Sequence, residues 1–153
     1  MDIWYNYIIF SQGSVSTLLL FFSYEGMMTI EFLAKAKENL KIAEIAFTEN
    51  CYNACANRSY YSMFQAAVAA LESIRITPKT DIIEHGWLQA TFARELIHRR
   101  KIYTGFENHL LQAQEIRNLA DYSKMPVNER KASRILRWAR EYVDAVRKEL
   151  KDL

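Results

Sequence analysis

The sequence predicts an all-α protein, an up-and-down bundle of four to five helices. Apolar residues recur with helical spacing almost everywhere after residue 28. Only four Gly and two Pro interrupt the 153 residues, and the breaks between periodic segments are short, which favours antiparallel neighbours. Half of the residues are hydrophobic and a quarter are charged, as is typical of one folded domain with one core.

The first 28 residues differ from the rest of the chain, because they contain two acidic residues and no Lys or Arg. They lack the basic start of a secretory signal, and residues 11–14 interrupt the apolar run that a membrane-spanning helix needs. A β-hairpin of residues 3–10 and 15–22 is one interpretation. A natural start at Met27 or Met28 is another. We predict an appendage over 1–28 and a helical domain over 29–153.

The first two predicted helices have different patterns. The first, from residue 29 to 47, has one apolar stripe, formed by Leu33, Ala36, Leu40, Ala43 and Phe47. The second, from 51 to 74, is apolar on nearly all sides and rich in alanine. Such a helix is buried all round, either at the centre of a bundle or between two subunits.

Three further helices are predicted after the break ITPKTD. Asp81 and Glu84 have capping-box spacing for a third helix over 82–100. A fourth helix is predicted over 106–122, and Asn128 is the expected N-cap of the fifth. The fifth helix has one apolar face (Ala132, Ile135, Leu136, Ala139, Val143, Val146, Leu150) and an opposite basic face (Arg130, Arg134, Arg137).

Several classes of site receive little support. The net charge of +2 does not by itself indicate a nucleic-acid-binding protein. Cys51 and Cys55 have neither metal-knuckle nor redox spacing, so we expect two free thiols in a reducing cytoplasm. Glu95 and His98 have the spacing of one half of a di-iron site, but a second pair is missing from the sequence. We therefore expect no metal and no cofactor.

Two arginines interrupt apolar patterns. Arg58 lies within the second helix, and Arg117 lies on the same stripe as Leu110 and Ala113. A guanidinium in such surroundings must be paired, because an uncompensated buried charge is costly. Asp121, four residues after Arg117, is the nearest candidate partner. Whether these groups form a structural ion pair or a functional site stays open at this point.

The segments NRSYYSMFQAAVAALE (57–72), ITPKT (76–80) and EIRNLADY (115–122), followed by a long last helix, resemble the HEPN family. The similarity covers roughly 29–150 and is greatest to the prokaryotic branch often encoded beside a small nucleotidyltransferase. It implies a homodimer formed through the central helices. It also implies, for many members, a metal-independent ribonuclease whose Arg-x4-6-His motif moves protons through the histidine.

Arg117 and Asn118 match the start of that motif, but Tyr122, Ser123 and Lys124 occupy the positions where the histidine is expected. Tyrosine is a poor base at neutral pH, because its ordinary pKa is near 10. The resemblance therefore implies a member that binds a nucleotide or a protein partner without efficient RNA cleavage. The partner it implies is a nucleotidyltransferase in a toxin–antitoxin-like module.

The binding residues expected from this resemblance are Arg58, Tyr61, Arg117, Asn118, Asp121 and Tyr122. A residual ribonuclease is the alternative function, with Arg117, Asp121 and Tyr122 as catalytic candidates. A third interpretation is an RNA-binding surface that combines the basic face of the fifth helix with basic residues at the end of the third (Arg94, Arg99, Arg100, Lys101).

Overall fold

The computed structural model describes residues 16–80 and 82–150, with side chains from residue 29 onward. Its elements are α1 (Ser16–Thr48), α2 (Tyr52–Ser73), α3 (His85–Phe92), a π-helical turn (Ala93–Arg99), α4 (His109–Tyr122) and α5 (Glu129–Glu149). The described residues contain no β-strand. The prediction of an all-α bundle is confirmed.

The N-terminal segment is helical where it is described. α1 begins at Ser16 and continues without a break through Met27 and Met28. A hairpin over 3–10 and 15–22 is therefore wrong in its second half, and its first half lies outside the described residues. In the part of the chain that is described, no helix is long and apolar enough to cross a membrane.

α2 is the central helix of the bundle. α1, α4 and α5 pack against it, and α3 contacts it near its middle, where His85 lies against Tyr60 and Phe64. Small side chains allow this approach, because the alanines at 56, 66, 67, 69 and 70 are all buried. Of the two interpretations of the all-round apolar pattern, the single chain already satisfies the first, burial inside one bundle. Dimerisation stays a prediction.

The stripes expected from the sequence face the core. On α1, Ala36 and Ala43 are buried, and Leu33, Leu40 and Phe47 pack against the core from its edge. On α5, every residue from Ala132 to Val146 in the predicted face is buried, and Leu150 is partly buried. Arg130, Arg134 and Arg137 are exposed, as the opposite face requires.

The third helix departs from its prediction. It begins at His85, with Glu84 at the N-cap position and no side-chain capping bond, so the helix starts later than predicted. Asp81, the predicted cap, lies outside the described residues. It continues as a π-helix in which the buried Glu95 carboxylate contacts three arginines (Arg94, Arg99, Arg100) at 2.9–3.2 Å. π-turns are rare and are not visible in hydrophobic periodicity.

Asn128 caps α5 as predicted, since its Oδ1 accepts a hydrogen bond from the Lys131 N–H at 3.0 Å. We expect Asn128→Ala to lower the free energy of unfolding by about 1 kcal/mol, because one N–H of the first turn loses its acceptor. Asn108→Ala is the matched control, since Asn108 precedes α4 without a side-chain capping bond. Urea unfolding measures the free energy of unfolding of both substituted proteins. Equal losses of stability would contradict the assignment of Asn128 as the cap.

Candidate functional site

A polar cluster lies where the first half of α2 faces the C-terminal half of α4. Arg117 is at its centre, and its side chain is only 15% exposed. Its Nη2 donates to Tyr61 Oη at 2.8 Å, and its Nη1 donates to Asn118 Oδ1 at 3.2 Å. Its Nε lies 2.9 Å from Asp121 Oδ2, although the N–H is not aligned for a hydrogen bond. The ion pair expected between Arg117 and Asp121 is present.

Two aromatic rings lie close to the Arg117 guanidinium. Its Cζ lies 5.5 Å from the centre of the Tyr61 ring and 5.7 Å from the centre of the Tyr122 ring. Burial lowers the pKa of Arg117, but Tyr61, Asp121 and Tyr122 together raise it above its ordinary value. The group is therefore permanently charged and fixed in one geometry.

Arg58 is held differently. It is exposed, and its guanidinium donates to the amide oxygen of Asn57 at 2.7 and 3.1 Å and to that of Asn39 at 3.3 Å. Its Cζ also lies 5.5 Å from the centre of the Tyr61 ring, so Tyr61 contacts both arginines. Among the described residues these hydrogen-bond partners are neutral amides, and no carboxylate is paired with Arg58.

Asn57 connects the two halves of the cluster. While its Oδ1 accepts from Arg58, its Nδ2 donates to both carboxylate oxygens of Asp121 at 3.0 Å. Asp121 is therefore shared between Arg117 on its own helix and Asn57 on α2. Counting charges, two arginines face one aspartate, and the cluster has one excess positive charge on the exposed Arg58.

The structure thus brings together all six residues expected from the sequence, namely Arg58, Tyr61, Arg117, Asn118, Asp121 and Tyr122. Tyr122 extends outward and is 77% exposed. Sequence reasoning missed Asn57 and Asn39. Asn57 stands next to Arg58 in the sequence, but Asn39 is 19 residues away on α1 and enters only because α1 packs against α2.

A second polar group adjoins the cluster and was also missed. Tyr60 Oη is hydrogen-bonded to His85 Nδ1, and the Tyr60 ring packs edge-on against the Tyr61 ring at 5.6 Å. Burial, and secondarily the charge of Arg117, lower the pKa of His85. Nothing in the spacing of the sequence indicated this histidine, because it reaches the site from α3.

The other basic residues are arranged differently from expectation. Arg94, Arg99 and Arg100 converge on Glu95, so their charge is partly neutralised. The Glu95 pKa is lowered, first by the hydrogen bond from Arg94 and then by the other two arginines. On α5, Arg137 lies 3.8 Å from Glu141. Within the described ranges, no three His, Cys, Asp or Glu side chains are grouped as metal ligands.

Comparison with known proteins now decides the family. The sequence model of the HEPN domain matches residues 30–150. The chain belongs to the HEPN domain family. This HEPN chain is 28% identical over 118 residues to a Methanocaldococcus jannaschii protein named "Putative toxin", covering 77% of this chain and 85% of that protein. It is 26% identical over 92 residues to a UPF0332 protein of Gloeobacter violaceus, covering 60% and 70% of the two chains.

Proposed function

We propose that this HEPN chain binds a phosphate-bearing ligand, a nucleotide or an RNA, at the cluster around Arg58 and Arg117. The observation that carries the proposal is the unequal pairing of the two arginines. Arg117 is buried and neutralised by Asp121, whereas Arg58 is exposed and held only by amide oxygens. A preoriented guanidinium without a carboxylate partner is suited to bind a phosphate oxygen.

The other members of the cluster have distinct roles in this proposal. Arg117, fixed by Tyr61 and Asp121, supplies positive potential behind Arg58. Asn118 and the exposed Tyr122 supply hydrogen-bonding groups and a ring face at the rim. These residues alone bind rather than cleave, because Tyr122 stands where the HEPN ribonuclease motif has its histidine.

We further propose that the chain acts in a toxin–antitoxin-like module, as a homodimer bound to a nucleotidyltransferase encoded nearby. The toxin name of the Methanocaldococcus relative supports such a module. Purification of the untagged chain from its own cells tests this. Co-purification with the neighbouring gene product is expected, and a free homodimer as the only form would contradict it.

Arg58→Ala tests the binding site. We expect it to weaken binding of a fluorescently labelled mixed-sequence RNA oligonucleotide, and of AMP in competition, by about 10- to 150-fold. This is the range expected when one charged hydrogen bond, about 1.5–3 kcal/mol, is lost. Because Arg58 is exposed, thermal unfolding should hardly change.

Arg134→Ala is the matched control, since it removes the same charge from the exposed face of α5. Fluorescence anisotropy measures the RNA affinity of the natural chain, Arg58→Ala and Arg134→Ala. The salt concentration is held fixed, because electrostatic binding depends strongly on ionic strength. Equal weakening by the two substitutions would indicate non-specific charge attraction. Unchanged binding by Arg58→Ala would show that the cluster is not the binding site.

A further inference from the structure

Three arginines surround one buried carboxylate in the π-helix that follows α3. Glu95 is only 6% exposed. Its Oε1 accepts from Arg94 Nε at 2.9 Å, and its Oε2 accepts from Arg99 Nη1 at 3.1 Å and from Arg100 Nη1 at 3.2 Å. One carboxylate balances one guanidinium, so two positive charges are left over at this point. We call Arg94, Arg99 and Arg100 the arginine surface.

The π-helical backbone makes this convergence possible. A π-helix bonds each residue to the fifth one along, so the fourth and fifth residues after Glu95 both lie about one turn away from it. In an α-helix, with about 3.6 residues per turn, only the fourth would lie on the same side as Glu95. Because Ala93–Arg99 is π-helical, Arg99 and Arg100 both reach the carboxylate. Arg100 Nη1 also donates to the backbone carbonyl of Glu95 at 3.1 Å, which fixes its position further.

The arginine surface retains hydrogen-bond donors for a ligand. In the described part of the chain, Arg94 bonds through Nε, and Arg99 and Arg100 bond through Nη1, always to Glu95. Their side chains are 63%, 69% and 40% exposed. A guanidinium carries further N–H groups on its other nitrogens. A second anion would therefore meet donors that are already oriented, which lowers the entropy cost of binding.

The distribution of this positive charge favours carboxylates of a protein over RNA. The three guanidinium groups converge on one point, whereas a single RNA strand is bound along an extended positive groove with rings that stack on its bases. Among the described residues, the large aromatic side chain that is exposed is Tyr122, and it lies on α4. Arginine forks pair well with carboxylates, and Glu95 shows these three side chains doing so.

We propose that the arginine surface is a docking site for an acidic segment of a protein partner, whose Asp or Glu carboxylates bind Arg94, Arg99 and Arg100. Glu95 is the internal support that holds the three guanidinium groups together against their mutual repulsion. The arginine surface shares no residue with the cluster around Arg58, and its described hydrogen bonds stay within the π-helix and its C-cap. The proposal therefore goes beyond the phosphate-binding function and does not depend on it.

Arg99→Gln in the full chain tests the docking site, with a fluorescein-labelled oligoglutamate peptide as the probe. Glu95 keeps two arginines after this substitution, so the unfolding temperature should hardly change. Fluorescence anisotropy at fixed salt should show saturable binding to the natural chain. The dissociation constant should rise about 3- to 10-fold for Arg99→Gln, as for loss of one partly exposed charged hydrogen bond. An oligoglutamine peptide of the same length should not bind.

Two further substitutions separate geometry from charge. Arg134→Gln is the matched control, since it removes the same charge from the exposed face of α5 and should leave peptide binding unchanged. Arg99→Lys keeps the charge but loses the planar fork, and it should also bind the peptide more weakly than the natural chain does. The RNA affinity of Arg99→Gln should equal that of the natural chain, and Arg58→Ala should bind the peptide normally.

Three outcomes would overturn the proposal. Equal weakening by Arg99→Gln and Arg134→Gln would show that net charge alone attracts the peptide. Failure of the natural chain to bind oligoglutamate would exclude an acidic segment as the ligand. Weaker RNA binding by Arg99→Gln, with unchanged peptide binding, would assign the arginine surface to nucleic acid. The cluster around Arg58 is tested separately, by the RNA affinity of Arg58→Ala, so the two proposals can fail independently.

Discussion

Between pH 5 and pH 8 the natural chain is expected to lose about 2–3 kcal/mol of unfolding free energy at Glu72, and Glu72→Gln should abolish this loss. Glu72 lies on α2 and is only 7% exposed, and its Oε2 has no hydrogen-bond partner in the described part of the chain. Burial, followed by the negative charge of Glu31, raises its pKa from about 4.5 to about 7, against the opposing effect of Lys35.

The sign follows from proton binding. Between the unfolded pKa near 4.5 and the folded pKa near 7, the folded chain holds a proton that the unfolded chain has released. Stability is therefore full below pH 4.5, falls as the pH rises and stays low above 7. At about 1.36 kcal/mol for each pKa unit, the difference amounts to about 3 kcal/mol.

Urea unfolding at pH 5, 6, 7 and 8 measures this effect, as the difference between Glu72→Gln and the natural chain at each pH. The difference matters because His85 and His109 act in the opposite direction. Burial lowers the pKa of both histidines, so their contribution to stability is lost as the pH falls below about 6.5. Both proteins contain these histidines, so the difference between them removes the contribution of the histidines.

Glu38→Gln is the matched control, since Glu38 is exposed on α1 and should leave the pH dependence of the natural chain intact. If Glu72→Gln keeps that same pH dependence, then the Glu72 carboxyl is ionised in the folded state, and its burial does not control its charge.

The fold could be predicted because its determinants are local or periodic. The apolar face of α5 and the all-round apolar α2 report burial directly, and Asn128 marks the start of α5 through a local capping bond. The start of α3 and the π-helix after it could not be predicted. In the π-helix the Glu95 carboxylate contacts three arginines, and such contacts leave no trace in hydrophobic spacing.

The cluster shows the same division between neighbours in sequence and neighbours in space. The pairing of Arg117 with Asp121 follows from a four-residue spacing on one helix, and the burial of Arg117 from its position on an apolar stripe. Asn39 and His85 come from α1 and α3, so only the packing of those helices on α2 reveals them.

Arg117→Ala is expected to lower the free energy of unfolding by about 2–3 kcal/mol. The substitution removes the hydrogen bond to Tyr61 and leaves Asp121, 25% exposed, without a cation. Breaking a fully buried ion pair costs about 3–5 kcal/mol, and partial exposure of this pair reduces the cost. Urea unfolding of the single and double substitutions of Arg117 and Asp121 should give a coupling energy of about 1–2 kcal/mol.

Arg140→Ala is the control that isolates burial, because Arg140 lies 2.7 Å from Glu44 but is 55% exposed. That exposed pair should contribute less than about 1 kcal/mol. Equal effects at the two sites would mean that burial does not strengthen the Arg117 pair. If Arg117→Ala loses both stability and RNA binding while Arg58→Ala loses binding alone, Arg117 is the support of the site and Arg58 is its contact with phosphate. The ion pair between Arg117 and Asp121 would then stabilise the fold and also support binding. It holds the Arg117 guanidinium in place, while the Arg58 guanidinium contacts the ligand.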